Sequence, residues 1–374
     1  MPSELHALAS ALVAIDSRSF VSNVPLAERI EHELAGFEIE RLDYLDDNLV
    51  PKRALVAHRG GTSFQKGGGI AFSGHMDTVP DTGWSEDPWS GRIADGFLHG
   101  LGSTDMKGPV AACIVAARSL PADMPVTLLL TTDEETTKAG ARIIAARSDL
   151  ARRAKPAAII VAEPTRLRPV RGHRAHIAFT AVATGIQAHS STGKGRNANW
   201  DLVEFLAEMK AVYLRLRTDP TLHDADYDPP FSDFNLTIDN HGAAVNVTVP
   251  KSTVRIKFRY SARLDPTPVL DAVRGAAARA GLALAEAREG FPPELPASHP
   301  LIALCAAQTN QAPLTAPYGT DASELQALAP CVIMGPGDIG EAHTPQEKLR
   351  IADLDAAVPL FRRMAEIVAA RGIG

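Results

Sequence analysis

Cysteine is scarce: Cys113, Cys305 and Cys331 are the only three in 374 residues, they are widely spaced, and they form no CxxC. That pattern opposes a disulfide framework, and with Cys113 and Cys331 in apolar segments it predicts buried free thiols in a reducing compartment. No apolar stretch is long enough to span a bilayer. The N-terminal segment has no basic leader region or cleavage pattern, so it does not read as a signal peptide, and a cytoplasmic protein is expected. An excess of basic residues is also missing. With 38 Lys and Arg against 44 Asp and Glu, the net charge of -6 argues against a nucleic-acid or anionic-membrane surface. There is no GxSxG elbow, no HExxH, and no partner motif around any cysteine. Serine or thiol hydrolysis and the one-metal helix site are therefore disfavoured.

What remains is ordinary soluble globular composition, 45% hydrophobic and 22% charged. The length is enough for two domains with separate cores. The first part alternates strand and helix. An amphipathic helix capped at Ser3 carries Leu5, Leu8, Leu12 and Ile15 on one side, and helical patterns follow at Leu26–Leu34, Gly108–Arg118 and Ala139–Ala145. Between them lie near-continuous apolar runs, the signature of a sheet covered on both faces by helices. Gly67-Gly68-Gly69 and Pro80-Asp81-Thr82-Gly83 punctuate as loops. No informative motif marks Pro51–Gly69.

From His173 the pattern changes. Strands are expected at His176–Thr184, Phe234–Ile238, Val245–Tyr260 and Leu282–Ala287, with helices at Trp200–Leu216 and from Pro266 to about Ala280. The order β-α-β-β-α-β is the ferredoxin-like split unit. Two strands in succession cannot simply continue a parallel sheet, so residues 173–288 read as an inserted second domain. The α/β pattern resumes with a helix from Pro300, a strand at Cys331 and a helix over Leu354–Ala369. The expected fold is therefore α/β: a mixed, mostly parallel sheet built from residues 1–172 and 289–374, interrupted by an α+β insertion.

Three apolar runs each end in a potential metal ligand. Ile70-Ala71-Phe72 leads to His75 and Asp77, Val126–Leu130 to Asp133-Glu134-Glu135, and Ala158–Val161 to Glu163. Open α/β sheets gather their chemistry at the carboxyl ends of such strands. Residues i and i+2 of an extended segment share a face, so Asp77 can hydrogen-bond the His75 imidazole and fix its tautomer. Adjacent side chains leave an extended backbone in different directions, so of Glu134 and Glu135 one can ligate metal while the other serves as general base. Taken singly, each residue also has an ordinary role: Asp105 as a turn or N-cap carboxylate, Glu163 as a strand-end turn, His343 as a loop histidine, and the acid cluster as a helix N-terminus.

The motifs become specific in combination. Gly74-His75-Met76-Asp77-Thr78-Val79-Pro80, Gly100-Leu101-Gly102-Ser103-Thr104-Asp105-Met106-Lys107-Gly108, Thr132-Asp133-Glu134-Glu135-Thr136, Ala162-Glu163-Pro164-Thr165 and Ala342-His343-Thr344-Pro345 stand in one order. That order resembles the co-catalytic zinc metallopeptidase family, which includes deacetylases, desuccinylases, aminoacylases and carboxypeptidases. The likeness covers nearly the whole chain. Within the family it is strongest to the acetylornithine deacetylases, through Glu163-Pro164-Thr165-Arg166-Leu167-Arg168-Pro169-Val170-Arg171 and Gly335-Pro336-Gly337-Asp338-Ile339.

The resemblance implies two divalent metals, Zn by preference with Co or Mn also suited to mixed nitrogen and oxygen ligands. Asp105 would bridge them, His75 and Glu163 would complete one site, and Glu135 and His343 the other. Asp77 would orient His75, and Glu134 would be the general base. In the inserted domain, Ala188-His189-Ser190-Ser191 resembles the segment whose histidine enters a neighbouring subunit's site, implying a homodimer. Asn246 and Arg259, on paired strands, look like substrate-holding residues. The reaction implied is hydrolysis of a small N-acyl amino acid, N-acetylornithine first. A desuccinylase, another deacylase or a dipeptidase would share the same centre, and a non-catalytic binding homologue is the reading from another class. Asp321 and Glu324 are the acids available for a side-chain amine.

Overall fold

A computed structural model describes residues 3–60 and 68–373; Gly67 of the glycine run lies outside the described residues. In chain order the strands begin with β1 (Glu38–Leu45), β2 (Pro51–Arg59), β3 (Ile70–His75), β4 (Ile93–Ala94), β5 (Phe97–His99), β6 (Val126–Thr131), β7 (Ala158–Pro164) and β8 (Val170–His173). They continue with β9 (Ala175–Thr184), β10 (Asp233–Asp239), β11 (Lys251–Tyr260), β12 (Ala283–Arg288), β13 (Leu314–Ala316), β14 (Cys331–Gly335) and β15 (Lys348–Arg350). Two compact units result. One comprises residues 1–172, 293–315 and 320–374, the other residues 173–292 and 316–319.

The first unit is built on an eight-stranded sheet in the order β1-β2-β6-β3-β7-β14-β8-β13. Its centre, β6-β3-β7-β14, is parallel, while β1, β2 and β8 pair antiparallel at the flanks. Every residue of β3, β6, β7 and β14 is buried, as apolar strands covered on both faces must be. Phe72 of β3 packs its ring 5.2 Å from Phe361 of the helix Ile351–Arg371. The helix Gly108–Ser119 starts with Pro109 in its first turn and buries nine of its twelve residues. Ser3 caps the helix Glu4–Val13, its hydroxyl accepting from His6 N at 3.3 Å. Cys113, Cys305 and Cys331 are all buried as free thiols in this unit. The antiparallel β1–β2 ribbon is the element that the sequence pattern leaves unread.

The second unit has a four-stranded antiparallel sheet in the order β10-β11-β9-β12. Along β9 buried and half-buried residues alternate, so one face meets the helices Asn199–Thr218 and Thr267–Arg279. Phe179, Phe205, Val254, Phe258 and Val273 form its core. The strand expected over Val245–Tyr260 begins only at Lys251, because residues 245–250 form a turn and an irregular approach. Among the described residues no helix is long and apolar enough to cross a membrane.

Candidate metal centre

Because β3, β6 and β7 run parallel, they deliver His75, Asp133-Glu134-Glu135 and Glu163 to the same edge of the sheet. Two loops complete the cluster. Asp105 follows Gly102, whose φ of +80° suits glycine and whose Cβ position would lie 2.6 Å from Thr78. His343, itself at φ 60°, lies in the loop after β14.

His75 Nε2 lies 2.9 Å from Asp105 Oδ1, and His343 Nε2 lies 2.9 Å from Glu135 Oε1 and 3.4 Å from Asp105 Oδ2. One ligand atom each from His75, Asp105 and Glu135 falls within a common 4.8 Å. Asp105 thus faces both imidazoles, one through each carboxylate oxygen. Glu163 is 4% exposed, and among the described residues it has no hydrogen-bond or ion-pair partner.

His75 Nδ1 donates to the main-chain carbonyl of Asp77 at 2.9 Å, whereas the Asp77 carboxylate is 3.6 Å away. The carboxylate–imidazole bond read from the i, i+2 spacing is therefore a carbonyl–imidazole bond. It still fixes the tautomer and leaves Nε2 facing Asp105, where it meets a carboxylate either as an imidazolium or as a lone pair offered to a cation. The Asp77 carboxylate instead accepts from Glu134 N at 3.1 Å, Glu135 N at 3.2 Å and Ser19 Oγ at 2.9 Å.

The electrostatics are those of a site short of positive charge. Burial raises the Glu134 carboxyl to about 8 despite Lys138 Nζ at 3.6 Å. Burial and the charge of Asp105 push Glu163 well above the carboxylate range. Burial alone would lower His75, but the Asp105 bond and the charges of Asp105, Glu163 and Asp77 hold it well above an ordinary histidine. His343 rises to about 11 through its bonds to Asp105 and Glu135. Buried Glu134 Oε1 has no hydrogen-bond partner. Imidazole nitrogens and crowded carboxylates of this kind fit divalent cations.

The remaining expected residues lie in the second unit. His189 is exposed and accepts from Ser191 Oγ at 2.8 Å through Nδ1. It bridges to Val247, and Ser190 N donates to the Asn246 carbonyl at 3.0 Å, so the His189 and Asn246 segments are neighbours. Asn246 sits in a turn rather than on a strand. Arg259 does lie on β11, where it donates to Asp233 Oδ2 at 2.6 Å across the β10–β11 register. Of the two acids available for a side-chain amine, buried Asp321 accepts from Thr131, and Glu324 pairs with Arg142 at 3.2 Å.

Sequence reading missed several supports. Asp133 turns at φ 59° and is held by Lys52 Nζ at 3.0 Å and Tyr44 OH at 2.7 Å. Glu347 binds the Asp105 loop through its carboxylate. Glu347 carries no signal because it sits in a polar stretch that reads as solvated surface, and Lys52 none because a lysine at the start of an apolar run reads as a solvated end. Lys107 is different: it lies within the Asp105 motif, and its burial shows the motif extends beyond the ligand.

A two-unit α/β scaffold with imidazoles and carboxylates gathered at its strand ends defines a metal-dependent hydrolase class. The model of peptidase family M20/M25/M40 matches residues 71–367, and the chain belongs to that family, whose members are metallohydrolases of amide bonds. An acetylornithine deacetylase of Proteus mirabilis is 30% identical over 373 residues, 95% of this chain and 93% of that one. A dipeptidase of Saccharomyces cerevisiae shares the fold with a TM-score of 0.76 at 14% identity, covering 98% of this chain and 96% of that one. So does a dinuclear metal-binding peptidase of Bacillus subtilis, with a TM-score of 0.61 at 18% identity, covering 98% of each chain.

Proposed function

We propose that this protein hydrolyses the amide of a small N-acyl amino acid, with N-acetylornithine as the first substrate to test. The observation that carries the reading is the meeting of His75, Asp105, Glu135 and His343 beside a buried Glu134 oxygen that has no hydrogen-bond partner. The deacetylase relative, alignable over 95% of this chain, supports the acyl amino acid over other amides.

Asp105 would bridge two divalent cations, with His75 and Glu163 on one and Glu135 and His343 on the other. When bound, such a pair, Zn by preference, supplies carbonyl polarisation and acidifies water. Glu134 would accept a proton from the attacking water and hand it to the leaving amine. His189 would donate to the developing oxyanion from a partner subunit of a homodimer. Arg259, oriented by Asp233, would meet the substrate carboxylate in a charge-assisted bond, with Asn246 beside the His189 loop. Glu324 is paired with Arg142, whereas Asp321 accepts from Thr131 through Oδ2 and keeps a buried Oδ1 without a hydrogen-bond partner, which makes it the better candidate of the two for the side-chain amine of ornithine. A cytoplasmic location accords with three buried free thiols.

The test is a substrate screen of purified protein over N-acetyl, N-succinyl and N-formyl amino acids and dipeptides, with and without added Zn. Preferred turnover of N-acetyl amino acids that a chelator abolishes is expected. Preference for N-succinyl substrates or dipeptides would overturn the deacetylase reading, and chelator-insensitive turnover would overturn the metal reading.

A further inference from the structure

Taking the metal reading above as given, we propose that Glu347 is a positioning residue that aims the Asp105 carboxylate before any cation arrives. Glu347 is 1% exposed, and its carboxylate accepts three main-chain N–H groups of one loop. Oε2 takes Gly102 N at 3.0 Å, while Oε1 takes Thr104 N at 2.8 Å and Asp105 N at 2.9 Å. N–H bonds to a carboxylate are charge-assisted and roughly twice as strong as neutral ones, and here they fix the backbone of Asp105 itself. Lys107, buried two residues beyond Asp105, donates through Nζ to the Ile15 carbonyl at 2.7 Å.

The same carboxylate joins two ligand loops. Glu347 stands four residues beyond His343, and Glu347 N donates to the Thr344 carbonyl at 3.2 Å. The side chain therefore ties the Asp105 loop to the segment that follows His343. Two other bonds sew the loops together without touching Asp105: Gly100 N to the Glu347 carbonyl at 3.2 Å and Thr104 Oγ1 to the Lys348 carbonyl at 2.8 Å. These can hold the loops when the carboxylate is altered. The carboxylate's own contribution is the orientation of Asp105.

Glu347→Gln separates the two. A glutamine keeps the volume but accepts through one oxygen only, and its amide N–H groups would oppose a main-chain donor. Zn titration against a competing chelator, read as affinity and release rate, is compared in wild type, Glu347→Gln, Glu347→Asp and Thr104→Val, each checked for native melting. Glu347→Gln and Glu347→Asp should bind Zn roughly 10–100-fold more weakly, as for other lost supports of metal ligands. Saturating Zn should return most of kcat, because the groups that touch substrate are intact. Thr104→Val, which loses only the loop-to-loop bond, should bind nearly as wild type. Glu347→Asp keeps the charge but falls one methylene short, and it decides the matter if Glu347→Gln does not fold. Wild-type affinity in either folded Glu347 variant, or equal weakening in Thr104→Val, would overturn the assignment while leaving the metal reading standing. Wild-type protein that binds no divalent cation would overturn both.

Discussion

The Asp77 carboxylate accepts the main-chain N–H of Glu134 at 3.1 Å. The acid beside the first histidine thus holds the backbone of the proposed general base, and its second oxygen does the same for Glu135. Asp77→Asn keeps one acceptor and replaces the other with a donor facing an N–H. Metal affinity and kcat should each fall by about 10–100-fold, with KM little changed. Steady-state kinetics with a chelator titration check it. A variant that alters KM alone would place Asp77 at the substrate instead.

Glu134→Gln should retain both metals and lose several orders of magnitude in kcat, since proton acceptance and donation fail together. Elemental analysis beside kinetics tests the separation. Loss of metal, or near-normal turnover, would mean that Glu134 and Glu135 exchange roles.

Asp105 faces both imidazoles, whereas Glu163 stands at the end of β7 without a partner among the described residues. Asp105→Ala should therefore deplete both sites, and Glu163→Ala mainly one. Metal content after dialysis against a weak chelator gives the count. Two equivalents retained by Asp105→Ala would defeat the bridging role.

The metal-free protein should lose stability as pH rises. Burial lifts Glu134 to about 8, and hydrogen bonds with Asp105 and Glu135 lift His343 to about 11. In each case the fold holds a proton that the unfolded chain has released. The stability from these groups is full below their unfolded values, 4.5 for Glu134 and 6.5 for His343, and drains as pH climbs through the folded ones. Cations compete with those protons, so the rise in Tm on adding metal should be larger near about pH 8.5 than near about pH 6. Thermal melts with and without chelator measure both trends. A metal-free Tm that is flat or rising over that range would contradict them.

If His189 acts in a partner's site, two inactive variants should complement. His189→Ala and Glu134→Gln, unfolded together and refolded, give mixed dimers with one doubly defective site and one intact site. Recovery should reach up to about a quarter of wild type for random pairing. Mixed dimers shown to be present without recovered activity would confine His189 to its own chain or to no catalytic role.

Much of the first unit is legible because its central strands are buried on both faces and read as unbroken apolar runs. Their ends, and so His75, Glu134, Glu135 and Glu163, follow from where those runs stop. The β1–β2 ribbon escapes because β1 is an edge strand whose residues are exposed or half-buried, which dilutes any apolar signal. The turn at Asn246 was absorbed into a strand because Val245, Val247 and Val249 alternate like one, although Val245 is fully exposed. Contacts that use the main chain are the least legible. Nothing in the side-chain sequence announces that Asp77 binds two backbone amides, or that Glu347 binds three.

All three thiols lie in the first unit, and none lies in the second. Burial pushes the Cys305 thiol up to about 12 and those of Cys113 and Cys331 higher still, so alkylation must wait for the surrounding structure to open. The native protein thereby carries a one-sided clock. Alkylation rates time the opening of the unit bearing the metal cluster, on a helix core (Cys113), a flanking helix (Cys305) and a central strand (Cys331), and remain silent to every motion of the other unit.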